Sequence, residues 1–361
     1  MIPLVKVGMP DRDKLMPALE SVLYSGMIGE GGCVYRFEDA FSEMFRLKHG
    51  LAFSSGTAAL HASLMLAGVG PGDEVISTSM TAEPTNLSIL YVGGVPVFAD
   101  VDVRSGNISP ESIDEKITTK TKAILIVHYA GVPVRMREII AIAKHHNIPV
   151  IEDCAHALGA QYEGRSVGSL GDYSIFSFQA IKHMTTVDGG FLVVRNADEI
   201  EKAKRFRWFG LEKGIARDKI NIRELGYKYN MHNVAATMGL MQLEVIQAHI
   251  KKHQDNGRYF DQQIAKISGL SVPYFDVEAN PSYWLYTILS DDSDAIERKL
   301  NCIGVQASKL HRPNHLHSIF KQYADYLPNL DEYYQRMIHI PCGWWVSEND
   351  RERIVDVLKA G

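Results

Sequence analysis

The sequence predicts an α/β fold: a large domain built on a mainly parallel central sheet, then a smaller C-terminal α+β domain. Three observations predict it. Short apolar runs alternate with helix-like segments over the first two-thirds of the chain. Those runs are nearly continuous in apolar residues, as strands are when helices cover both faces; half-exposed antiparallel strands alternate instead. From about Asn233 longer helical periods take over. At 361 residues and 46% hydrophobic, the chain has enough apolar sequence for both parts.

The elements follow in order. Residues 51–53 form a short apolar strand, and Ser54-Ser55-Gly56-Thr57 leads from it into a helix over 58–67, rich in Ala, Leu and Met. Gly68 and Gly70 stop that helix, and Pro71-Gly72-Asp73 turns the chain into a strand at 74–77. Strands at 95–99 and 123–127 flank a weak helix at 110–117. A helix at 135–146 precedes a strand at 149–151. Beyond Asn233, one long helix over 235–252 carries Leu240, Leu243, Ile246 and Ile250 at helical spacing. A strand at 282–289, a helix at 295–301 and a closing helix at 351–359 complete the smaller domain. The boundary is set near residue 248, giving a cofactor-binding domain at 1–248 and an α+β domain at 249–361.

Composition removes several function classes. The net charge of −5 argues against a nucleic-acid partner, since phosphate binding needs a basic excess. No apolar stretch reaches the ~18 residues of a membrane span. The N-terminus, Met1-Ile2-Pro3-Leu4-Val5-Lys6, lacks the basic-then-apolar run of a signal peptide. Cys33, Cys154, Cys302 and Cys342 are far apart, so no zinc site is expected and no disulfide is required. The expectation is a reduced, cytoplasmic enzyme.

In open parallel sheets, ligands bind beyond the C-terminal ends of the strands. That directs attention to Ser54 and its neighbours, to His128-Tyr129 and to Glu152-Asp153. Lys182 follows a strand-like run and precedes two glycines, with apolar and small neighbours. A lysine so placed can have a depressed pKa suited to Schiff-base chemistry, although an arbitrary lysine is a solvated surface charge. Asp153 ends a strand; it is either an ordinary strand-end carboxylate or the partner of a protonated pyridine nitrogen, which pyridoxal phosphate requires as an electron sink. Ser55-Gly56-Thr57 opens a helix, and is either a plain N-cap or an anion site made by backbone N–H groups.

Phosphate site, ring-nitrogen partner and lysine occur in that order, and here the sequence resembles a family. It is similar to the sugar aminotransferases of the DegT/DnrJ/EryC1/StrS group, a branch of the fold-type I pyridoxal-phosphate enzymes. The similarity rests on Ser54-Ser55-Gly56-Thr57-Ala58-Ala59-Leu60, Gly70-Pro71-Gly72-Asp73-Glu74-Val75-Ile76 and Pro96-Val97-Phe98-Ala99-Asp100-Val101-Asp102. Val127-His128-Tyr129-Ala130-Gly131 and Ile151-Glu152-Asp153-Cys154-Ala155-His156-Ala157-Leu158-Gly159-Ala160 extend it. The segment from Ser177 to Gly190 and Gly226-Tyr227-Lys228-Tyr229-Asn230-Met231 complete it over nearly the whole chain.

The resemblance implies a role for each matched residue. Lys182 matches the lysine joined to the cofactor, and Asp153 the ring-nitrogen carboxylate. His156 matches a position near the cofactor's phenolic oxygen. Gly56, Thr57 and Ser177 match phosphate contacts. It implies pyridoxal 5'-phosphate, with pyridoxamine 5'-phosphate as its second form. It also implies L-glutamate as donor, a nucleotide-linked ketosugar as acceptor, and a homodimer with shared active sites. Three positions depart from the family pattern. Ala82 stands where a ring-stacking aromatic is usual, Val187-Asp188 replaces Gly-Glu, and Lys228 fills an Asn position expected to reach the neighbour's cofactor phosphate. Two alternatives stand beside the aminotransferase: a sugar dehydratase of the same family, which carries His at the lysine position, and a non-catalytic cofactor-binding regulator. His183, next to Lys182, makes the first worth testing. Residues 309–317 hold His311, Arg312, His315 and His317, either a substrate-contacting loop or a solvated one.

Overall fold

In the computed structural model, which describes residues 1–360, two helices precede the first strand: α1 (Arg12–Leu23) and α2 (Gly32–Met44). Helix α2 buries Val34, Phe37 and Phe41, three and four residues apart, the spacing of one helix face. The expected alternation then begins. Strand β1 (Gly50–Phe53) leads into α3 (Gly56–Leu66), and β2 (Glu74–Thr78) into α4 (Glu83–Tyr91). Strand β3 (Val95–Ala99) leads into α5 (Pro110–Lys116), and β4 (Thr121–Val127) into α6 (Met136–His146). After β5 (Val150–Asp153) come two short strands, β6 (Gln161–Tyr162) and β7 (Arg165–Ser166). Strands β8 (Tyr173–Ser177) and β9 (Gly190–Val194) and helix α7 (Ile200–Phe206) follow.

Seven strands form one sheet in the order β1-β9-β8-β5-β4-β2-β3. The pairs from β3 through β2, β4 and β5 to β8 are parallel; β9 runs antiparallel to both β8 and β1. Strand β4 shows why its sequence does not alternate. Ala123 and Leu125 pack with residues of α3 and α4, whereas Ile124 and Ile126 pack with Ile113 of α5 and Ile139 of α6. Over residues 123–127 water reaches neither face, so each of these positions is apolar, whereas Thr121 and Lys122 at the start of the strand are not buried. The C-terminal ends of β1, β4, β5 and β8 lie on the same edge of this sheet.

The long helix expected over 235–252 is two helices, α8 (Asn233–Leu243) and α9 (Ile246–Ile264), broken at Glu244-Val245. Helix α9 continues through Gly257, which reads as a helix breaker in sequence. A Cβ at Gly257 would stand 2.4 Å from the Tyr283 ring, so close packing accounts for the glycine. Ile246, Ile250, Phe260 and Ile264 keep one buried stripe along the helix. Beyond it lie β10 (Leu270–Ser271), β11 (Ala279–Asn280), β12 (Tyr286–Ser290), α10 (Ser293–Cys302), α11 (Pro328–Arg336), β13 (Met337–Ile340) and α12 (Glu348–Lys359). Strands β10, β12 and β13 form an antiparallel sheet whose core joins Phe260, Ile288, Ile338 and Ile354 to Ile2. The strand expected from 282 begins at Tyr286. Residues 282–285 instead bond to the turn after β4, with Ser282 N donating to Gly131 O at 2.9 Å and Leu285 N to Ala130 O at 3.3 Å. That detour brings Trp284 to the large sheet. No helix among the described residues is long and apolar enough to cross a membrane.

Candidate active site

A cavity of about 340 Å³ opens beyond the strand ends on that edge. Gly56, Thr57, Asp153, His156, Ser177 and Lys182 all line it. Six of the seven candidate residues, spread over 127 positions from Gly56 to Lys182, therefore converge on one site.

At one end, Ser55 caps α3 by accepting a hydrogen bond from Ala58 N at 3.0 Å. Gly56 and Thr57 then begin the first turn, where no preceding helical carbonyl takes their N–H groups. Ser177, the last residue of β8, closes against them: a Cβ on Gly56 would stand 2.9 Å from Ser177 Cβ. Glycine fits here because any side chain would run into the root of the Ser177 side chain. Two N–H groups, a helix N-terminus and a serine hydroxyl make a cradle for a phosphate dianion.

Asp153 lies at the other end, on the last residue of β5, and is buried. Its Oδ2 accepts from Thr85 Oγ1 at 2.8 Å and its Oδ1 from Ala155 N at 3.1 Å. The Thr85 hydroxyl is itself held 2.9 Å from Thr81 Oγ1. Burial raises the Asp153 pKa above the usual carboxylate value; the two hydrogen bonds and the charge of Lys182 oppose the rise. A cation placed against this carboxylate would pull its pKa down.

Lys182 lies in a loop folded back on itself between β8 and β9. Phe178 N donates to Gly189 O at 2.8 Å and Thr186 N to Phe178 O at 3.0 Å. Burial lowers the Lys182 pKa to about 8, partly offset by the Asp153 charge. Its Nζ stands 4.2 Å from the centroid of the Trp284 ring. His156 stacks on that ring at 4.0 Å and 21°, and its Nδ1 is buried without a partner. His311 lies parallel to His156, with ring centroids 5.6 Å apart, and also lines the cavity. Burial lowers the His156 pKa well below the usual value and takes that of His311 to about 4, so both imidazoles are neutral near pH 7.

The donor set suits pyridoxal phosphate: an anion cradle at one end, a buried carboxylate at the other, an amine of lowered pKa, and an unpartnered imidazole nitrogen. Ala82 lines the cavity where an aromatic is usual. Asp188 lines it as well, in the loop that departs from Gly-Glu.

Other candidates are placed elsewhere. His183 points away from the cavity, with Nε2 3.3 Å from Ser282 O and its ring against His253. The residue presented to the cavity is Lys182, which removes the register ambiguity behind the dehydratase alternative. His128 is a core residue: its Nδ1 accepts from Val134 N at 3.2 Å, so Nε2 carries the proton and donates to Glu152 at 3.1 Å. Glu152 also takes the N–H groups of Gly168, Leu170 and Gly171 and the Ser174 hydroxyl. Tyr129 points its hydroxyl at His339, 2.9 Å away. Lys228 does not line this chain's cavity. It is exposed, with Nζ 4.0 Å from the Trp208 ring centroid and donating to Asn230 Oδ1 at 2.6 Å.

The 309–317 segment is anchored beside the cavity through Asn314 and His315, with Arg312 and Leu316 exposed. Asn314 N donates to Ser79 O at 2.8 Å, its Nδ2 to Thr81 O at 2.8 Å, and its Oδ1 accepts from Asn86 at 2.9 Å. His315 Nδ1 is 2.7 Å from Ser79 Oγ. Thr85 and Trp284 are the site residues that sequence reasoning missed. Thr85 carries one signal, a hydroxyl in the first turn of the helix after β2; Trp284 carries none beyond being aromatic.

The sequence model of the DegT/DnrJ/EryC1/StrS aminotransferase family matches residues 11–359. The chain is 30% identical over 369 residues to the GDP-perosamine synthase of Caulobacter vibrioides, covering 99% of this chain and 98% of that protein. It is 31% identical over 355 residues to SpsC, a spore coat polysaccharide biosynthesis protein of Bacillus subtilis, covering 93% and 91%. The solved structure of the sugar aminotransferase CalS13 from Micromonospora echinospora superposes with a TM-score of 0.96 at 33% identity, over 100% of both chains.

Proposed function

The chain belongs to the DegT/DnrJ/EryC1/StrS aminotransferase family, pyridoxal-phosphate enzymes, and we propose that it moves the amino group of L-glutamate to a ketone on a nucleotide-linked sugar. The observation that carries this reading is the convergence of Lys182, Asp153 and the first turn of α3 on one cavity. The similar proteins, a GDP-perosamine synthase and a sugar aminotransferase, support the sugar as acceptor.

Bound in this cavity, pyridoxal phosphate supplies a protonated pyridine ring that delocalises the electrons left when a proton departs from carbon. The residues act around it. Gly56 and Thr57 N–H groups and the Ser177 hydroxyl hold the phosphate. Asp153, kept anionic by Thr85 and Ala155, holds a proton on the ring nitrogen. Lys182 would hold the cofactor through Nζ, and as a free amine it would take the proton from the amino donor's α-carbon. With a pKa of about 8, roughly one Lys182 in ten is neutral at pH 7, against about one in three thousand for an ordinary lysine. His156 offers a neutral imidazole edge to the cofactor's phenolic oxygen.

The assembly is proposed to be a homodimer with shared sites. Tyr24, Met27, Ile28, Phe209, Ile222 and Leu225 are exposed apolar residues. Asn233 ties the first of their segments to α8, donating from N to Gly29 O at 2.8 Å and from Nδ2 to Met27 O at 2.7 Å. An isolated chain would leave them in water; a second copy would cover them. Lys228 stands on this same exposed stretch, and its proposed target is the partner's phosphate cradle. The division at residue 248 is likewise proposed; it falls just inside α9. A reducing, cytoplasmic setting is proposed, in keeping with four free cysteines.

The test is a screen of ketosugars on UDP, GDP and dTDP carriers with L-glutamate as donor. One carrier should give aminosugar with parallel initial-velocity lines, the pattern of a two-half reaction. Lines that intersect without added product would rule out the two-half scheme.

A further inference from the structure

One buried side chain touches three parts of the lysine's surroundings. Trp284 is 2% exposed. Its Nε1 donates to Ile181 O at 2.9 Å, the carbonyl immediately before Lys182. Its ring faces Lys182 Nζ at 4.2 Å and stacks on His156 at 4.0 Å. The indole therefore fixes the backbone before the lysine, the amine at the end of the side chain, and the imidazole beside it. Asp153 acts on Nζ by charge alone, with no hydrogen bond between them. The aromatic face is thus a second group that favours the ammonium form, 4.2 Å from Nζ, and a cation is attracted to an indole face most strongly where water is excluded.

We propose that Trp284 is the positioning residue for Lys182: its indole face holds the amine whenever it is not joined to the cofactor, and its N–H fixes the backbone from which the amine swings. The proposal rests on the aminotransferase reading in requiring Lys182 to be released and recaptured. It explains why residues 282–285 leave the small sheet to bond with the 130–131 turn: that path carries Trp284 beneath Nζ.

The ring face opposes the effect of burial. Burial holds the amine down to about 8, and the quadrupole limits that fall by stabilising the cation. The other titratable groups around Nζ are Asp153 on β5, His156 just after it, His183, His311 on the 309–317 segment, Glu83 on α4 and Asp188 in the lysine loop. The three imidazoles are pushed neutral by burial. Burial raises the Asp153 pKa as well, so the titration is read on the peptide that holds Lys182, where the atom modified is Nζ itself.

The experiment uses the full chain with its cofactor removed. The rate at which trinitrobenzenesulfonate modifies the peptide containing Lys182 is followed against pH. The wild-type midpoint should lie near 8. Trp284→Phe keeps an aromatic face and should stay within about half a pH unit, whereas Trp284→Leu should fall by about one unit, tenfold in proton affinity. A Leu midpoint equal to or above wild type, with circular dichroism unchanged, overturns the proposal. A second measurement needs no change at Trp284. The difference in tryptophan emission between wild type and Lys182→Met, which cancels other lysine–indole pairs such as Lys228 on Trp208, should titrate with the same midpoint; a flat difference also overturns it. The aminotransferase reading fails separately, if Lys182→Met turns over with cofactor, since the midpoint comparison involves none.

Discussion

Replacing Thr85 with Val removes a single hydrogen bond from the carboxylate that serves the ring nitrogen. Asp153 is buried and has two close donors, Ala155 N at 3.1 Å and Thr85 Oγ1 at 2.8 Å. Only the second is lost. A hydrogen bond to a charged group contributes about 1.5–3 kcal/mol, and a decade in rate is about 1.4 kcal/mol. The variant should therefore lose roughly 10- to 150-fold in the rate of the glutamate half-reaction. Its shape is nearly unchanged, so cofactor should still bind through the α3 cradle and Lys182. Thr81, the second partner of that hydroxyl, loses a contact too, and a small fall in melting temperature should accompany the kinetic loss. Stopped-flow absorbance on the loaded protein measures the rate directly. Thr85→Ser restores the hydroxyl and should recover most of it. A Val variant within twofold of wild type, or a Ser variant as slow as Val, would refute the assigned role of this bond.

Asp153→Asn keeps the shape and removes the charge; transamination should fall by about 10³-fold or more while cofactor still binds, as single-turnover kinetics will show. Lys182→Ala should bind pyridoxamine phosphate but not turn over, and borohydride should link cofactor only to wild-type peptide 182. The depressed Lys182 pKa also sets a pH dependence. The unfolded chain holds that proton up to about 10.5 and the folded one up to about 8, so the buried amine costs stability below pH 8 and progressively less between 8 and 10.5. Lys182→Met should accordingly stabilise the cofactor-free protein at pH 7, by up to roughly 3 kcal/mol, with the gain shrinking as pH rises through that window, in denaturant titrations. Lys228→Ala should weaken cofactor binding and leave the dimer intact by sedimentation. Mixing it with Lys182→Ala should restore one intact site per mixed dimer; no recovery despite proven chain exchange would confine Lys228 to its own chain.

The alternation of apolar runs and helices was readable because each central strand is covered on both faces, as Ile124 and Leu125 show by packing in opposite directions. Gly56, Asp153 and Lys182 were readable because strand ends and helix starts restrict where such residues serve a ligand. Other parts were not. The inward face of α2, Val34, Phe37 and Phe41, is interrupted by Glu38, a buried acid that makes sense only with Arg207 beside it. The expected helix stopped at 252, short of the second half of α9, where Gly257 packs against the distant Tyr283 ring. His128 sits at a strand end like the true site residues, and only the Glu152 carboxylate turned inward at its side makes it a core residue. Trp284 and Thr85 act through contacts with residues 102 and 68 positions away, Lys182 and Asp153, which no local pattern encodes.

The central claim is that this chain carries an amino group through Lys182. The most direct measurement is a single half-reaction: protein loaded with pyridoxal phosphate, mixed with excess L-glutamate and no sugar, with 2-oxoglutarate counted per chain. The account requires one equivalent of 2-oxoglutarate per cofactor bound, formed as the visible absorbance is lost, and none from Lys182→Ala. Wild-type protein that binds cofactor but yields no more 2-oxoglutarate than Lys182→Ala would contradict it.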